Sequence, residues 1–515
     1  MLTSRRLVRL ALVSALVAPT SLGVIAGPAA AATFTVDSTV DAVDAALGDG
    51  VCATVANECT LRAAIQEANQ LGGSHTIVLP AGTYTLDIVG PGEDAAATGD
   101  LDVTADITIE GAGAVSTIVE AGFGSDAGEV DRVFDVQAGG SLTIEGVTVR
   151  NGEVRGADGG GIRSVGTLVV LDSTVADNAA LGPVNGVVGT NGNGGGIHGG
   201  GVSVTVRNSV IEDNEAADDG GGVTAAGNAG LTLADSVVRG NTAGDKGGGV
   251  EVNNNDPAVA TITGSWLVGN QADDGGGISF RSDTQGTISN TTISGNTAGA
   301  DGGAIEANSR VILAVVNSTL SGNSGEMGGA IESEGDTQLS LTNVTIVDNT
   351  TTGPSSAAIM NEGTVTLVNS IVADNPGAPD CRAENGATFV SGGHNLDSDG
   401  TCGLNAEGDL PASDPMLGTL ADNGGFAPTH LPQAGSPVID AGDDIACPAA
   451  DQRGVVRPQD GDGDGTARCD IGAVEVLGAV VEDEDEDEAE EDVADEVVEE
   501  SPAASPVTAV PTFTG

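Results

Sequence analysis

The sequence predicts an all-β chain: a right-handed parallel β-helix (solenoid) with a short N-terminal capping helix and a disulfide-bearing C-terminal cap module. Three observations predict it. An Asn column reads Asn178, Asn214, Asn241, Asn270, Asn296, Asn323, Asn349 and Asn375, in steps of 26 to 29 after one of 36. An aliphatic column behind paired or tripled glycines reads Ile162, Ile197, Val223, Val250, Ile278, Ile305, Ile331 and Ile359, in steps of 26 to 28 after one of 35. The long step falls in both columns at the Gly/Asn-rich stretch Leu181–Asn193, an insertion in one repeat. Within a repeat, runs such as Thr364-Val365-Thr366-Leu367-Val368 alternate with period two, which marks half-buried strands and leaves no room for a helix.

Short strands joined by Gly and Asn turns at this period stack coil on coil. Three residues before each Asn stand Val175, Ile211, Val238, Leu267, Ile293, Leu320, Ile346 and Val372, and five before stand mostly Ser or Thr. The aliphatic column is expected to face inward and its neighbours not. Each Asn is expected to take the left-handed turn conformation, with the stacked amides bonding one another along the axis. Eight coils about 4.8 Å apart would make a rod on the order of 40 Å long. Its open ends need covers, because an open coil presents unpaired backbone groups.

From the N-terminus, Arg5, Arg6 and Arg9 precede an apolar run and Ala30-Ala31-Ala32, the pattern of a secretory signal peptide cleaved after Ala32. Ser4-Arg5-Arg6 is a partial twin-arginine match, so the export route stays open. Thr60 can cap a helix in which Leu61, Ala64, Ile65 and Ala68 share one face and Gly72-Gly73 ends it, a lid for the first coil. His75–Leu86 reads as two strands around Pro80-Ala81-Gly82. No other stretch is apolar enough over sufficient length to cross a membrane.

The net charge is -58 and Lys246 is the only lysine, which excludes a binder of nucleic-acid phosphates. With seven Phe, one Trp and one Tyr, the core must be aliphatic. The six cysteines lie at the two ends of the mature chain, and in an exported protein they read as disulfides. The pairing expected is Cys52 with Cys59, Cys381 with Cys402 and Cys447 with Cys469, although spacing alone does not exclude other connectivities. Zinc is the alternative, against which stands the lack of any C-x-x-C unit. Glu482–Glu500 holds fourteen acidic residues and Ser501–Gly515 is rich in Pro, Ser and Thr, a disordered tail suited to a spacer.

Two resemblances frame the mature chain. Cys59-Thr60-Leu61-Arg62-Ala63-Ala64-Ile65, with Ala68-Asn69 and Thr76-Ile77-Val78-Leu79-Pro80-Ala81-Gly82-Thr83-Tyr84, resembles the CSLREA-type N-terminal motif of bacterial secreted β-helix proteins. Thr60 replaces the family's Ser and Ala63 its Glu. Asp414-Pro415-Met416-Leu417-Gly418, Ala421-Asp422-Asn423-Gly424-Gly425, Gly435-Ser436-Pro437-Val438-Ile439-Asp440-Ala441-Gly442, Asp451-Gln452-Arg453-Gly454 and Cys469-Asp470-Ile471-Gly472-Ala473-Val474-Glu475 are similar to the "choice-of-anchor" domain that follows such β-helices, with Val474 where the family commonly has Tyr. The resemblances imply an exported, surface-associated β-helix protein and carry no established reaction. The expected organisation is a signal peptide over 1–32, a cap and first coils over 33–100, repeats over 101–376, the anchor-like module over 377–476 and a tail over 477–515.

Three sets of residues could bear chemistry. Asp460-Gly461-Asp462-Gly463-Asp464-Gly465 places alternating carboxylates on a glycine loop that could wrap Ca²⁺, with Asp470 replacing the glutamate missing at the twelfth position, Ile471. A charged column, Asp158, Asn193, Asp219, Lys246, Asp274 and Asp301, doubled by Asp218 and Asp273, precedes the glycines. A third column has Glu251, Glu306 and Glu332, of which Glu306 and Glu332 would stack about 5 Å apart, near the separation of a retaining glycosidase pair. Any two neighbouring coils share this spacing, so a solvated acidic face is the plainer reading. Arg163, Arg281 and Lys246 are the basic residues near these columns, His75, His198, His394 and His430 are scattered, and Trp266 stands in a column filled elsewhere by Thr or Val.

The function expected is a non-enzymatic adhesion or structural rod, secreted and retained at a cell surface, monomeric, with Ca²⁺ as its ion and a polysaccharide or surface glycan as its partner. The alternative is a polysaccharide lyase or glycoside hydrolase working through Glu306 and Glu332.

Overall fold

The computed structural model describes residues 31–90, 92–122, 131–182, 192–254, 259–281, 283–354 and 356–478. The expected signal peptide up to residue 30, residues 183–191 of the insertion and the expected tail from 479 lie outside the described residues. A complete coil contributes four strands, as in Ile162–Ser164, Thr167–Leu171, Thr174–Ala176 and Ala179–Leu181. These belong to four parallel sheets, numbered first to fourth in that order, with 11, 13, 13 and 8 strands among the described residues. Like residues stack in register: Leu142, Leu168 and Val204 pair in succession on the second sheet, and Val149, Val175 and Ile211 on the third.

Period-two alternation places one set of side chains inside. Ile162, Leu168, Val170 and Val175 are buried, and the same positions on later coils continue a single aliphatic core. Phe280 fits because its neighbour on the second sheet is Gly286. A Cβ there would stand 2.7 Å from the Phe280 ring. The tripled glycines have a related cause. Gly220 has φ 65° and a Cβ on Gly221 would lie 2.5 Å from the carbonyl oxygen of Gly248, so the backbones of adjacent coils touch where a side chain would project. Ladder bonds run straight through them, Gly195 N to Gly220 O and Gly196 N to Gly221 O.

The corners depart from the expectation in two ways. Stacked Asn amides do bond along the axis: Asn178, Asn214, Asn241, Asn270, Asn296 and Asn323 each donate Nδ2 to the Oδ1 of the next Asn at 2.9 Å. The left-handed residue, however, is the one before. Asp177, Asp213, Gly240, Gly269, Gly295, Gly322, Asp348 and Asp374 have φ between 53° and 66°. The Asn must point its carboxamide inward to meet its neighbours, so the exposed preceding residue makes the turn. The Ser/Thr column also proves to be buried: Ser209, Ser236, Ser265, Thr291 and Ser318 are 0–2 % exposed. Each hydroxyl accepts from the backbone N–H of the column residue one coil earlier, as in Ser209 N to Ser236 Oγ at 3.2 Å, and donates to a carbonyl of its own coil. A corner exposes backbone donors to the core, and a short hydroxyl satisfies them.

Leu61–Leu71 is the helix, with the Thr60 side chain accepting from Ala63 N and Gly72 at its C-terminus. The expected apolar face meets the first coils. The opposite face is covered too, by the preceding loop. Arg62 is fully buried, paired to Asp41 at 2.6 Å and donating to the carbonyls of Ala96, Gly99 and Asp100. Glu67 accepts from the amides of Gly48 and Gly50.

At the other end, Cys381–Ala383, Thr388–Ser391, Leu396–Asp397 and Leu410–Pro411 continue the sheets. The chain then turns back along the third sheet. Gln452 bonds Thr292 and Thr319, His430 bonds Ser321, and the Ala473 amide donates to Thr345. Val438 and Ile471 pack on Val347, Ile371 and Ala373. This segment covers the third-sheet side of the last coils. Cys52 bonds Cys59 and Cys381 bonds Cys402, with S–S distances of 1.99 and 1.94 Å, and Cys447 pairs with Cys469. Among the described residues no helix is long and apolar enough to cross a membrane.

The amide ladder yields a stability prediction. Asn296→Ala removes the acceptor of Asn270 N and Nδ2 and the donor to Leu267 O and Asn323 Oδ1, all buried. A loss of about 2–4 kcal/mol is expected from the orphaned groups, read by chemical denaturation. A loss below about 0.5 kcal/mol would mean that the ladder does not hold the coils.

Candidate functional site

The second residue of each first-sheet strand points outward. Along the axis this column reads Asp102, Asp135, Arg163, His198, Thr224, Glu251, Ser279, Glu306, Glu332, Met360 and Arg382. Beside it runs the column before the glycines, and the two columns together bury most of these polar groups. Glu251, Glu306 and Glu332 are 1–2 % exposed.

The pre-glycine column is a ladder of acceptors. Asp158 Oδ1 accepts from Asn193 N at 3.1 Å, Asn193 Oδ1 from Asp219 N at 3.1 Å, Asp219 Oδ1 from Lys246 N at 3.2 Å and Asp274 Oδ1 from Asp301 N at 3.3 Å. This is why Asp and Asn recur there: a short side chain with a carbonyl-type oxygen closes the turn of the next coil. Asp218 and Asp245 draw close to Asp219.

Glu306 and Glu332 are register partners on adjacent coils, but their surroundings differ. Glu306 accepts from Ser279 Oγ at 2.5 Å, from Lys246 Nζ at 3.0 Å and from Asn308 Nδ2 at 3.3 Å. Lys246 also bonds Asp274, and these carboxylates hold it charged against the cost of its burial. Glu332 has a buried Oε2 with no partner. Burial, with Glu334, Asp301 and Glu306 close by, pushes its carboxyl up to about 10. Two coils away, Arg281 bridges Asp219 at 2.8 Å and Glu251 at 3.3 Å. Burial raises Glu251 well above the carboxylate range and Asp219 to about 6. The arrangement places a neutral carboxylic acid beside a carboxylate bonded to a lysine, the asymmetry an acid–base pair needs.

Sequence reading missed a second cluster on the same face. Asp100, Asp102 and Asp135 are buried and converge, with Arg132 3.1 Å from Asp100 and 3.2 Å from Asp135, and Arg163 2.9 Å from Asp135. Burial and the neighbouring aspartates raise Asp100 to about 8 and Asp102 to about 6. The signal was present: Leu101-Asp102-Val103 and Phe134-Asp135-Val136 have an acid where later coils have Glu251 and Glu306. The glycine pattern that marks the column in later coils does not reach back that far.

In the C-terminal loop Asp460 and Asp462 stand together and are joined by Asp440. Asp464 turns away to accept from Thr466 N, and Asp470 accepts from the amides of Asp440 and Val476, with burial raising it to about 7. Asp460 Oδ1 is buried without a partner. These oxygens are of the kind that Ca²⁺ takes. The histidines stay apart: His75 lies against Gly72 O, His394 against Ala441 O, His430 against Ser321, and His198 3.9 Å from Asp158. Trp266 is half-buried, with Nε1 donating to Ser294 Oγ.

No family model matches the chain, and no curated protein matches it. Two solved structures are similar to it. Pectate lyase Pel9A has 16 % identity and a TM-score of 0.35, over 87 % of this chain and 98 % of that one. The A-module of Azotobacter vinelandii mannuronan C-5 epimerase AlgE6 has 16 % identity and a TM-score of 0.32, over 67 % of this chain and 97 % of that one. At these scores neither likeness bears on the chemistry of this chain.

The Glu332 environment gives a pH prediction. Its folded value lies above that of the unfolded chain, so the folded state binds the extra proton and stability falls as pH rises from about 4.5 towards about 10. Glu332→Gln is expected to raise Tm at pH 8 and to leave it unchanged at pH 4, measured by differential scanning fluorimetry. Equal Tm shifts at both pH values would refute a neutral Glu332.

Proposed function

We propose that this chain is an exported, surface-associated β-helix protein that serves as a non-enzymatic adhesion or structural element and binds glycan. The observation that carries the reading is the internal pairing of the charged face. Arg132, Lys246 and Arg281 each bridge two carboxylates, Arg163 pairs with Asp135, and Asp and Asn side chains between them accept backbone amides of the next coil. Groups so engaged hold coils together and are poorly placed to meet a substrate. The signal-peptide pattern, the disulfides and the resemblance at both ends to secreted β-helix proteins support export and surface retention.

The polysaccharide-cleaving alternative has one observation in its favour, the neutral Glu332 beside Glu306. The test is product release from acidic and neutral polysaccharides by the purified protein, alongside Glu306→Gln and Glu332→Gln. No products from any substrate, with intact folding, is the expected result. Cleavage abolished by either substitution would replace the adhesion reading with a hydrolase or lyase.

Calcium belongs to the same reading as a stabilising ion on the Asp440, Asp460 and Asp462 oxygens. Ca²⁺ at 1 mM is expected to raise Tm by a few degrees, reversed by chelation and absent in Asp460→Asn with Asp462→Asn, as follows when an ion binds only the folded state. An equal rise in that double variant would remove this loop as the site.

A further inference from the structure

The second sheet presents a different surface from the first. The acids of this sheet, Asp106, Glu110 and Glu145, stand on its early strands; the nine later ones, Thr167–Leu171, Ser203–Arg207, Gly230–Ala234, Val259–Thr263, Gln285–Ser289, Ile312–Val316, Gln338–Thr342, Thr364–Val368 and Thr388–Ser391, contain no Asp or Glu, in a chain that has 75 of them. Arg207 is their only charged residue. The outward positions are hydroxyls, amides and short aliphatics. The central outward column includes Thr205, Thr232, Thr261, Thr287, Ala314, Ser340 and Thr366, in register from coil to coil.

This face is concave at one place. A trough of about 390 Å³ runs over the coils from Val259 to Thr366. Its cause lies in side-chain size. Ala314, the smallest residue of the central column, sits in register between Thr287 and Ser340, while Gln285, Ile312 and Gln338 stand taller in the column beside it. Ile312 and Val259 remain 48 % and 51 % exposed, apolar surface that the fold itself leaves uncovered. Five strands at about 4.8 Å spacing make the trough about 19 Å long.

We propose that this trough binds a neutral, extended polysaccharide chain laid along the solenoid axis. The inference rests on the glycan-binding reading above and names its face and ligand class. A sugar ring presents hydroxyls on its edge and C–H groups on its face. Thr, Ser and Gln side chains both donate and accept at that edge, and Ile312 and Val259 meet the apolar face. A ladder of hydroxyls repeating with every coil suits a polymer better than a single small molecule. Charge selects the class: a net charge of -58 repels polyanions at long range, and no basic residue lines the trough to recover them locally.

The test is calorimetric titration of the full chain with xylohexaose, cellohexaose and chitohexaose, and with alginate and polygalacturonate oligomers as acidic probes. Ala314→Glu and Ser340→Glu place a charge in the trough, and Thr205→Glu places one in the same column outside it. At least one neutral hexasaccharide is expected to bind, at least tenfold more weakly to both trough variants and unchanged to Thr205→Glu, with Tm preserved throughout. Ser340 is exposed, so its variant carries the test if Ala314→Glu does not fold. Neutral binding that ignores both substitutions, or binding of acidic oligomers alone, overturns the trough and leaves the glycan-binding reading standing. No binding to any probe overturns both. A dimer of the full chain that Ser340→Glu dissociates would identify a second copy as the occupant and overturn the proposal.

Discussion

The buried carboxamide at each corner is the constraint on which the rest of the solenoid depends. A parallel coil must turn sharply while its backbone donors and acceptors face a core without water, where an unpaired group costs about 1–3 kcal/mol. Asn meets the demand at one corner by donating to a carbonyl and to the Asn of the next coil while accepting from the Asn of the coil before. The Ser/Thr column does the same at the other corner with a smaller group. Once both corners are satisfied along the axis, coils can differ only where chain length is free, and the variation in repeat length accordingly falls around the first sheet.

The same logic organises the charged face. Asp158, Asn193, Asp219 and Asp274 each close a turn on the following coil, so an acidic column accumulates for structural reasons. Its repulsion is relieved by a few cations placed between carboxylates, and Lys246, the only lysine, is one of them. Glu332 lies beyond the reach of these cations and stays neutral. A raised acid on such a face is therefore a poor marker of catalysis, because burial among like charges produces it without a substrate.

Period, strand alternation, the inward aliphatic column and the capping helix were all legible in the sequence, because each follows from spacing. What escaped was local geometry. Asn and the residue before it are both turn formers, and only the need to bury the carboxamide decides that Asp177 or Gly240, not Asn178 or Asn241, takes positive φ. Ser209 and Ser236 looked like outward neighbours because polarity was read as exposure, whereas a hydroxyl at a corner is a buried acceptor. The C-terminal acidic loop was half legible: Asp460 and Asp462 are two residues apart in sequence, but Asp440 comes from a separate turn that no spacing rule connects to them.

Glycan recognition and catalysis make opposite demands on such a surface. A catalytic cleft needs charged groups held apart from their neighbours and left free for substrate. The first sheet has the charges but ties them to one another across coils. From Thr167 onward the strands of the second sheet have hydroxyls and amides but no carboxylate with which to activate a bond. The same coils thus separate the two properties onto different faces, the charged one holding the stack and the neutral one open to a partner. That division follows from stacking: where like residues must lie about 4.8 Å apart, a charged column survives only with cations between its members, and a neutral column needs none.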